Sequence, residues 1–217
     1  MTTFPGSPRL VKGGLVLLEP ESGAVLRVIP LQYNPDTITR SLQMQATGES
    51  GDRSEALRIK GPAVETFKVD AEIDLTDHLE QPDQHRDATS LGLFPQLAAL
   101  ETILYPPSAK LESNNTLARS GVLEILPVEA PLTLFIWSRN RIVPVRVTEF
   151  SVTEDAFDPT LNPIRAKVSL GMRVLSVTDL GFAHRGGSLF MSYLRQKEQF
   201  AARTGGQLTQ LGVTGIR

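Results

Sequence analysis

The chain contains no cysteine, and that absence removes disulfide scaffolds, thiolate zinc ribbons, iron–sulfur ligation and thiol nucleophiles together. Its longest apolar stretches, such as Leu132 to Trp137, fall far short of the roughly 20 residues that cross a bilayer. Direct membrane insertion is not expected. The N-terminal run Met1-Thr2-Thr3-Phe4-Pro5-Gly6-Ser7-Pro8 has neither the basic nor the apolar region of a signal peptide, so cytoplasmic synthesis without Sec-type export is expected. Charge excess is missing too: Lys plus Arg number 22 against 24 Asp plus Glu, a balance with no strong field for nucleic acid or an anionic membrane. Aromatics make up 6% of the chain, with one Trp, which is few for a concave, aromatic-lined ligand site.

Catalytic signatures are missing as well. There is no G-x-S-x-G elbow, no G-x-x-x-x-G-K-[ST] and no G-x-G-x-x-G. The three histidines, His78, His85 and His184, have no metal-site spacing. Asp70, Glu72 and Asp74 share one face of a strand and read as a solvated surface rather than a cation site. Gly186-Gly187-Ser188 reads as a helix N-cap rather than an anion site. The expectation is a protein with no catalytic residues, no cofactor and no metal.

What remains is β patterning. A half-buried strand must alternate, because successive side chains point to opposite faces. Phe67 to Leu75 does so, with apolar odd positions and charged even ones, and Ala166 to Val174 does so with reversed parity. Along Val143 to Val152 the apolar positions are odd up to Val147 and even from Phe150, so a β-bulge near Thr148 and Glu149 is predicted. Pro144 suggests an edge strand or a strand start. Gly14 to Glu19 and Ala24 to Leu31 flank the turn Pro20-Glu21-Ser22-Gly23 as a hairpin. Asp158-Pro159 and Asn162-Pro163 mark a longer turn, and Ala46 to Gly61 reads as a polar excursion that orders on a partner.

Helical spacing of Leu93, Leu97, Leu100, Ile103 and Leu104 predicts a helix near 93–105, capped by Ser90 and stopped by Pro106-Pro107. A second is predicted over Ser188 to Arg203. Its Phe190, Tyr193 and Phe200 cover more than a narrow stripe, and packing against another chain stands beside packing in the core. Both faces of Leu132 to Trp137 are apolar, which fits a central core strand or a subunit interface. The fold class is mainly β, a barrel or sandwich, with one or two helices: residues 1–180 as a β domain, and 181–217 as a C-terminal helix and flexible tail.

Two stretches are more specific than this physics. Leu31-Gln32-Tyr33-Asn34-Pro35-Asp36-Thr37-Ile38 resembles the "F-Q-[FY]-N-P-x-x-[IL]" signature of the tube-adaptor, or tube-initiator, proteins of contractile injection systems and phage-like tails. The succession of a strand bearing Trp137, a strand with Phe150 and Phe157, and a strand beginning Pro163-Ile164-Arg165-Ala166 is similar to the same family, over residues 12–176. The resemblance implies a tail-tube-type β domain, forming a hexameric ring with itself. Its implied partners are an inner tube protein, a spike or hub protein and other baseplate subunits, within an assembled tail-like particle. The family's frequent C-terminal LysM module has no counterpart here, and Tyr105 to Ala130 is expected to be an extra loop. A stand-alone ligand- or protein-binding β module is the alternative.

Overall fold

The computed structural model describes residues 10–46, 57–121 and 129–216. Seven strands form one antiparallel sheet: β1 (Gly14–Leu18), β2 (Val25–Pro30), β3 (Ile38–Ala46), β4 (Ile59–Asp74), β5 (Leu132–Ser138), β6 (Arg141–Phe157) and β7 (Pro163–Val174). Their spatial order is β2-β1-β5-β6-β7-β4-β3. The two edge strands, β2 and β3, are therefore consecutive in sequence. Six spacings of a flat sheet cover about 28–29 Å, and the connection from Pro30 to Ile38 spans at most about 26–29 Å when fully extended. This connection bends at Gln32, Tyr33 and Asp36, so the sheet has to coil and bring its edges toward each other.

Alternation decides which side is inside the coil. Phe67, Val69, Ala71 and Ile73 of β4 are buried with Ala166, Val168, Leu170, Met172 and Val174 of β7. The opposite face carries cross-strand polar pairs: Asp74 with Arg165 at 3.1 Å, Glu72 with Lys167 at 3.6 Å, and Ser169 donating to Asp70. The predicted bulge is present, as the β6–β7 register shifts between Val147 and Glu149. Gly171 sits opposite Glu149, and a Cβ there would lie 2.8 Å from the Glu149 Cβ.

Pro144 corrects the expectation drawn from it. It is buried in β6, an interior strand, and is neither at the edge of the sheet nor at the start of its strand. Its carbonyl accepts from the Leu175 N–H, so its nitrogen also faces β7, just where the β6–β7 ladder begins at Val145. What proline forgoes is a single terminal bond to the Leu175 carbonyl, one residue past the end of β7.

Among the described residues between β4 and β5 lie the helices α1 (Thr76–Leu79), α2 (Arg86–Leu91), α3 (Phe94–Glu101) and α4 (Ser108–Arg119); α5 (Val177–Leu180) and α6 (Arg185–Ala201) follow β7. The expected helix near 93–105 is α3. Ser90 does not cap it, because Ser90 lies within α2 and the N-cap position is Leu93. Leu93, Leu97 and Leu100 enter the core, and the Arg27 guanidinium of β2 donates to the Thr102 hydroxyl and the Ala99 carbonyl, fixing α3 to the β2 edge. The expected loop after Tyr105 is instead largely the helix α4, with no buried residue; residues 122–128 lie outside the described residues. Most of the Ala46 to Gly61 excursion also lies outside them, while Ile59 to Gly61 already belong to β4.

The helix α6 begins at Arg185, not Ser188, with His184 as its cap: the His184 Nδ1 accepts from the Gly186 N–H at 3.0 Å. Gly186 and Gly187 are buried packing positions, pressed on Leu180, Leu132 and the Gly181 carbonyl, so they do not form the N-cap that the sequence suggested. Leu180 and Leu189 pack with Leu18, Leu132 and Leu134, while Phe135 on the other side of β5 joins the main core. Both faces of β5 are covered within the chain.

Gly171→Ala should lower stability by about 1–3 kcal/mol through overpacking against Glu149, whereas Gly205→Ala, with open space around it, should change it by less than about 0.5 kcal/mol. Urea unfolding of the two variants side by side checks this.

Candidate functional site

The side chain of Gln32 accepts from the Asp74 N–H at 2.8 Å and donates to the Asp74 carbonyl at 2.6 Å. Leu75 N–H bonds to Ile164 of β7, so the polar groups of Asp74 face the opposite way, toward the edge of β4 that β3 leaves uncovered beyond Val69. Gln32 thus replaces one peptide group of an absent strand. Asn34 does the same one step along, accepting from Gly13 N–H at 2.9 Å and donating to the Val11 carbonyl at 2.8 Å. The Trp137 ring presses on Gly13, where a Cβ would come within 2.4 Å of it. The motif residues Gln32, Asn34 and Trp137 are therefore parts of one clasp that holds the coiled sheet shut.

Arg165 meets Asp74 from the other side and reaches Asp155 at 4.0 Å. Tyr33 is exposed and lines a shallow polar recess with Arg165, Lys167, Glu72 and Asp155. Pro35 stays in the connection before β3. Phe150 is half-buried against the core, and Phe157 is half-exposed at the end of β6. Of the three aromatic residues of the C-terminal helix, Phe190 and Tyr193 are spent on the chain's own core, and Phe200 is exposed.

Sequence reasoning missed Glu65. It is the first residue of β4 beyond the β7 ladder and is only 3% exposed. Tyr193 donates to it at 2.8 Å, Lys197 lies 2.6 Å away and Arg40 of β3 3.8 Å away. Burial, with the neighbouring carboxylate, pushes the Tyr193 hydroxyl up to about 12, so it remains a donor. The cluster joins β3, β4 and α6. No residue pattern in the sequence announces it, because its members lie far apart in the chain.

Exposed apolar groups lie at both ends of β4. Beyond the end of β7, β3 and β4 continue as a two-stranded arm bearing Leu42, Met44 and Ile59, all more than half exposed. At the other end of β4, Leu91, Phe94, Phe157 and Leu161 surround the β6–β7 turn. That turn is stiff. The Asp158 carboxylate accepts from the Thr160 and Asn162 N–H groups at 2.7 and 2.9 Å, and the Asn162 amide donates to it and to the Ser90 carbonyl of α2. These bonds, led by the Asn162 N–H, lower Asp158 to about 2. Among the described residues no three His, Asp or Glu side chains are grouped as a cation site; the His78 and His85 rings lie 4.5 Å apart between centroids, tilted by 42°. The arrangement offers surfaces for protein contact.

Two predictions follow from this geometry. Gln32→Glu keeps an acceptor for Asp74 N–H but opposes its carbonyl, and should cost about 1–3 kcal/mol; Tyr33→Phe should cost less than about 0.5 kcal/mol, both read by urea unfolding. Because the folded Asp158 is depressed below its unfolded value near 3.9, its contribution is present above pH ~4 and fades as pH falls through about 2. The Thr160 and Asn162 amide resonances should hold steady from neutral pH to ~4 and move only below it.

No protein-family model matches the chain, and no curated protein does. Among solved structures it is similar to a chain of the tail of an empty GTA particle, determined by helical refinement with C6 symmetry. The identity is 12%, the match covers 75% of this chain and 90% of that one, and the TM-score is 0.30.

Proposed function

We propose that the chain is a non-catalytic structural subunit of a phage-tail-like particle, made in the cytoplasm and closing into a ring that joins an inner tube to a spike or hub. The observation that carries this reading is the β3–β4 arm. Along β3 nearly every residue is exposed, on both faces of the strand, and among the described residues β3 is also an edge whose outward N–H and C=O groups have no strand partner. A long exposed edge of this kind is an aggregation hazard on a solitary protein and a template in an assembly. Leu42 and Met44 on it, with Ile59 of β4, provide the apolar contact that edge pairing alone lacks.

The motif resemblance supports the same reading in a specific way. Gln32, Asn34 and Trp137 hold the coil shut, so the signature preserves a shape rather than a reactive site. In the mechanism this implies, a preformed ring offers its arms as the first layer on which tube subunits add. Assembly stands in the place of catalysis, with other baseplate subunits gathered around the ring. The alternative, a stand-alone binding module, draws on the apolar cleft between β2 and α3 and requires a lasting monomer.

Leu42→Lys with Met44→Lys should leave unfolding midpoints within about 0.5 kcal/mol of the parent, as surface changes do, while abolishing incorporation into particles. Negative-stain microscopy and mass spectrometry of pelleted particles read both points. Sheathed rods carrying a few copies of the parent support the adaptor; recovery only as a soluble monomer from cells that make such rods favours the binding module.

A further inference from the structure

The strongest remaining feature is a cleft of about 490 Å³ where β2, α3 and the C-terminal part of β4 meet. Its floor is apolar, formed by Ile29, Leu31, Ala71, Ile73 and Leu100, and Val28 of the β2 edge stands exposed at its side. Lys12 and Arg27 stand at its rim, and among the described residues neither has a carboxylate within ion-pair distance. The occupant this lining favours is an apolar side chain flanked by acid.

The β6–β7 turn has that composition. Leu161 is 77% exposed and Phe157 half-exposed, next to Glu154, Asp155 and Asp158. Leu161 is also held at φ +66°, a conformation unfavourable for a branched side chain. The Asp158 network fixes it there with its side chain turned largely to water. Strain that holds an apolar group outward points to a contact made elsewhere.

The turn does not occupy the cleft of its own chain: neither Phe157 nor Leu161 lines it, and Leu161 stays exposed. Leu93 N–H bonds to the Pro163 carbonyl, and Gly92 packs on Asn162, so the turn is pinned to the N-terminal end of α3 while the cleft lies along that helix at Pro95, Gln96 and Ala99.

We infer that the β6–β7 turn of one copy of this chain seats in the β2–α3 cleft of a second copy, with Phe157 and Leu161 in the apolar floor and the acids of the turn against Lys12 and Arg27. The contact is heterologous, different surfaces meeting, and repeats around a ring when the rotation closes. It rests on the ring-forming reading above and supplies that ring with its lateral joint. Opposite charges at the rim fix the register and speed encounter, and the apolar knob contributes the lifetime.

The lack of native cysteine makes the test clean. Leu161→Cys and Val28→Cys proteins are prepared separately, mixed under mild oxidation, and run without reductant. A heterodimer band from the mixture that neither protein gives alone is expected, and the doubly substituted chain should give a ladder ending in a closed ring. In parallel, Lys12→Glu and Asp155→Lys should each weaken self-association by roughly tenfold or more, measured by sedimentation, and the double charge swap should restore it. Oligomers that form without the cross-link and ignore both charge changes overturn the joint while sparing the ring. Monomers at every soluble concentration, with no cross-link, overturn both. Specific capture of a different protein or a small apolar ligand by the cleft, with no self-association, also overturns the joint.

Discussion

Everything in this fold follows from placing two sequence-adjacent strands on opposite edges of one sheet. The β2–β3 connection is too short and too bent to bridge a flat sheet of seven strands, so coiling is obligatory, and coiling creates an interior that alternation then fills. The coil is not closed by a ladder between its edges. Side-chain amides from Gln32 and Asn34 bond backbone groups on either side of the opening, and α3 contributes leucines where another strand would have been. Each amide makes two hydrogen bonds of modest individual worth, and the cost of leaving those backbone groups unmatched is larger than the gain from matching them. That asymmetry explains why a polar motif can define a fold.

Legibility from sequence tracked the range of the interaction involved. Strands with strict alternation, Phe67 to Leu75 and Ala166 to Val174, and the bulge near Thr148, could be read because parity is a local property. The hairpin through Pro20 to Gly23 was equally plain. Helices α1 and α2 are too short to show a period, and α4 buries nothing, so no stripe marks it. Pro144 misled because the rule about proline concerns which side of the strand its nitrogen faces and what lies opposite, and that depends on where β7 ends. Glu65 was invisible because three residues from two other elements, Arg40 of β3 and Tyr193 and Lys197 of α6, create its environment.

The candidate surfaces show the same division. Phe157 and Arg165 were identifiable from a motif, and both lie near the β6–β7 turn. Leu161, Leu91 and Phe94 were not, since an exposed leucine is ordinary until its neighbours and its backbone conformation are known. Phe190 and Tyr193 carried the right composition for an interface, and the structure gives that composition to the core. An aromatic stripe on a helix specifies that something is covered, without specifying by whom.

The Glu65 cluster has a mechanical consequence. The β3–β4 arm leaves the body just where its strands lose β7, and a two-stranded ribbon would otherwise pivot there. Arg40 on one strand, Glu65 on the other, and Tyr193 and Lys197 from α6 form a bracket across that pivot. A load applied at the tip of the arm is therefore passed into a helix of 17 residues lying on the sheet, and the arm acts as a cantilever with a built-in root rather than as a hinged flap.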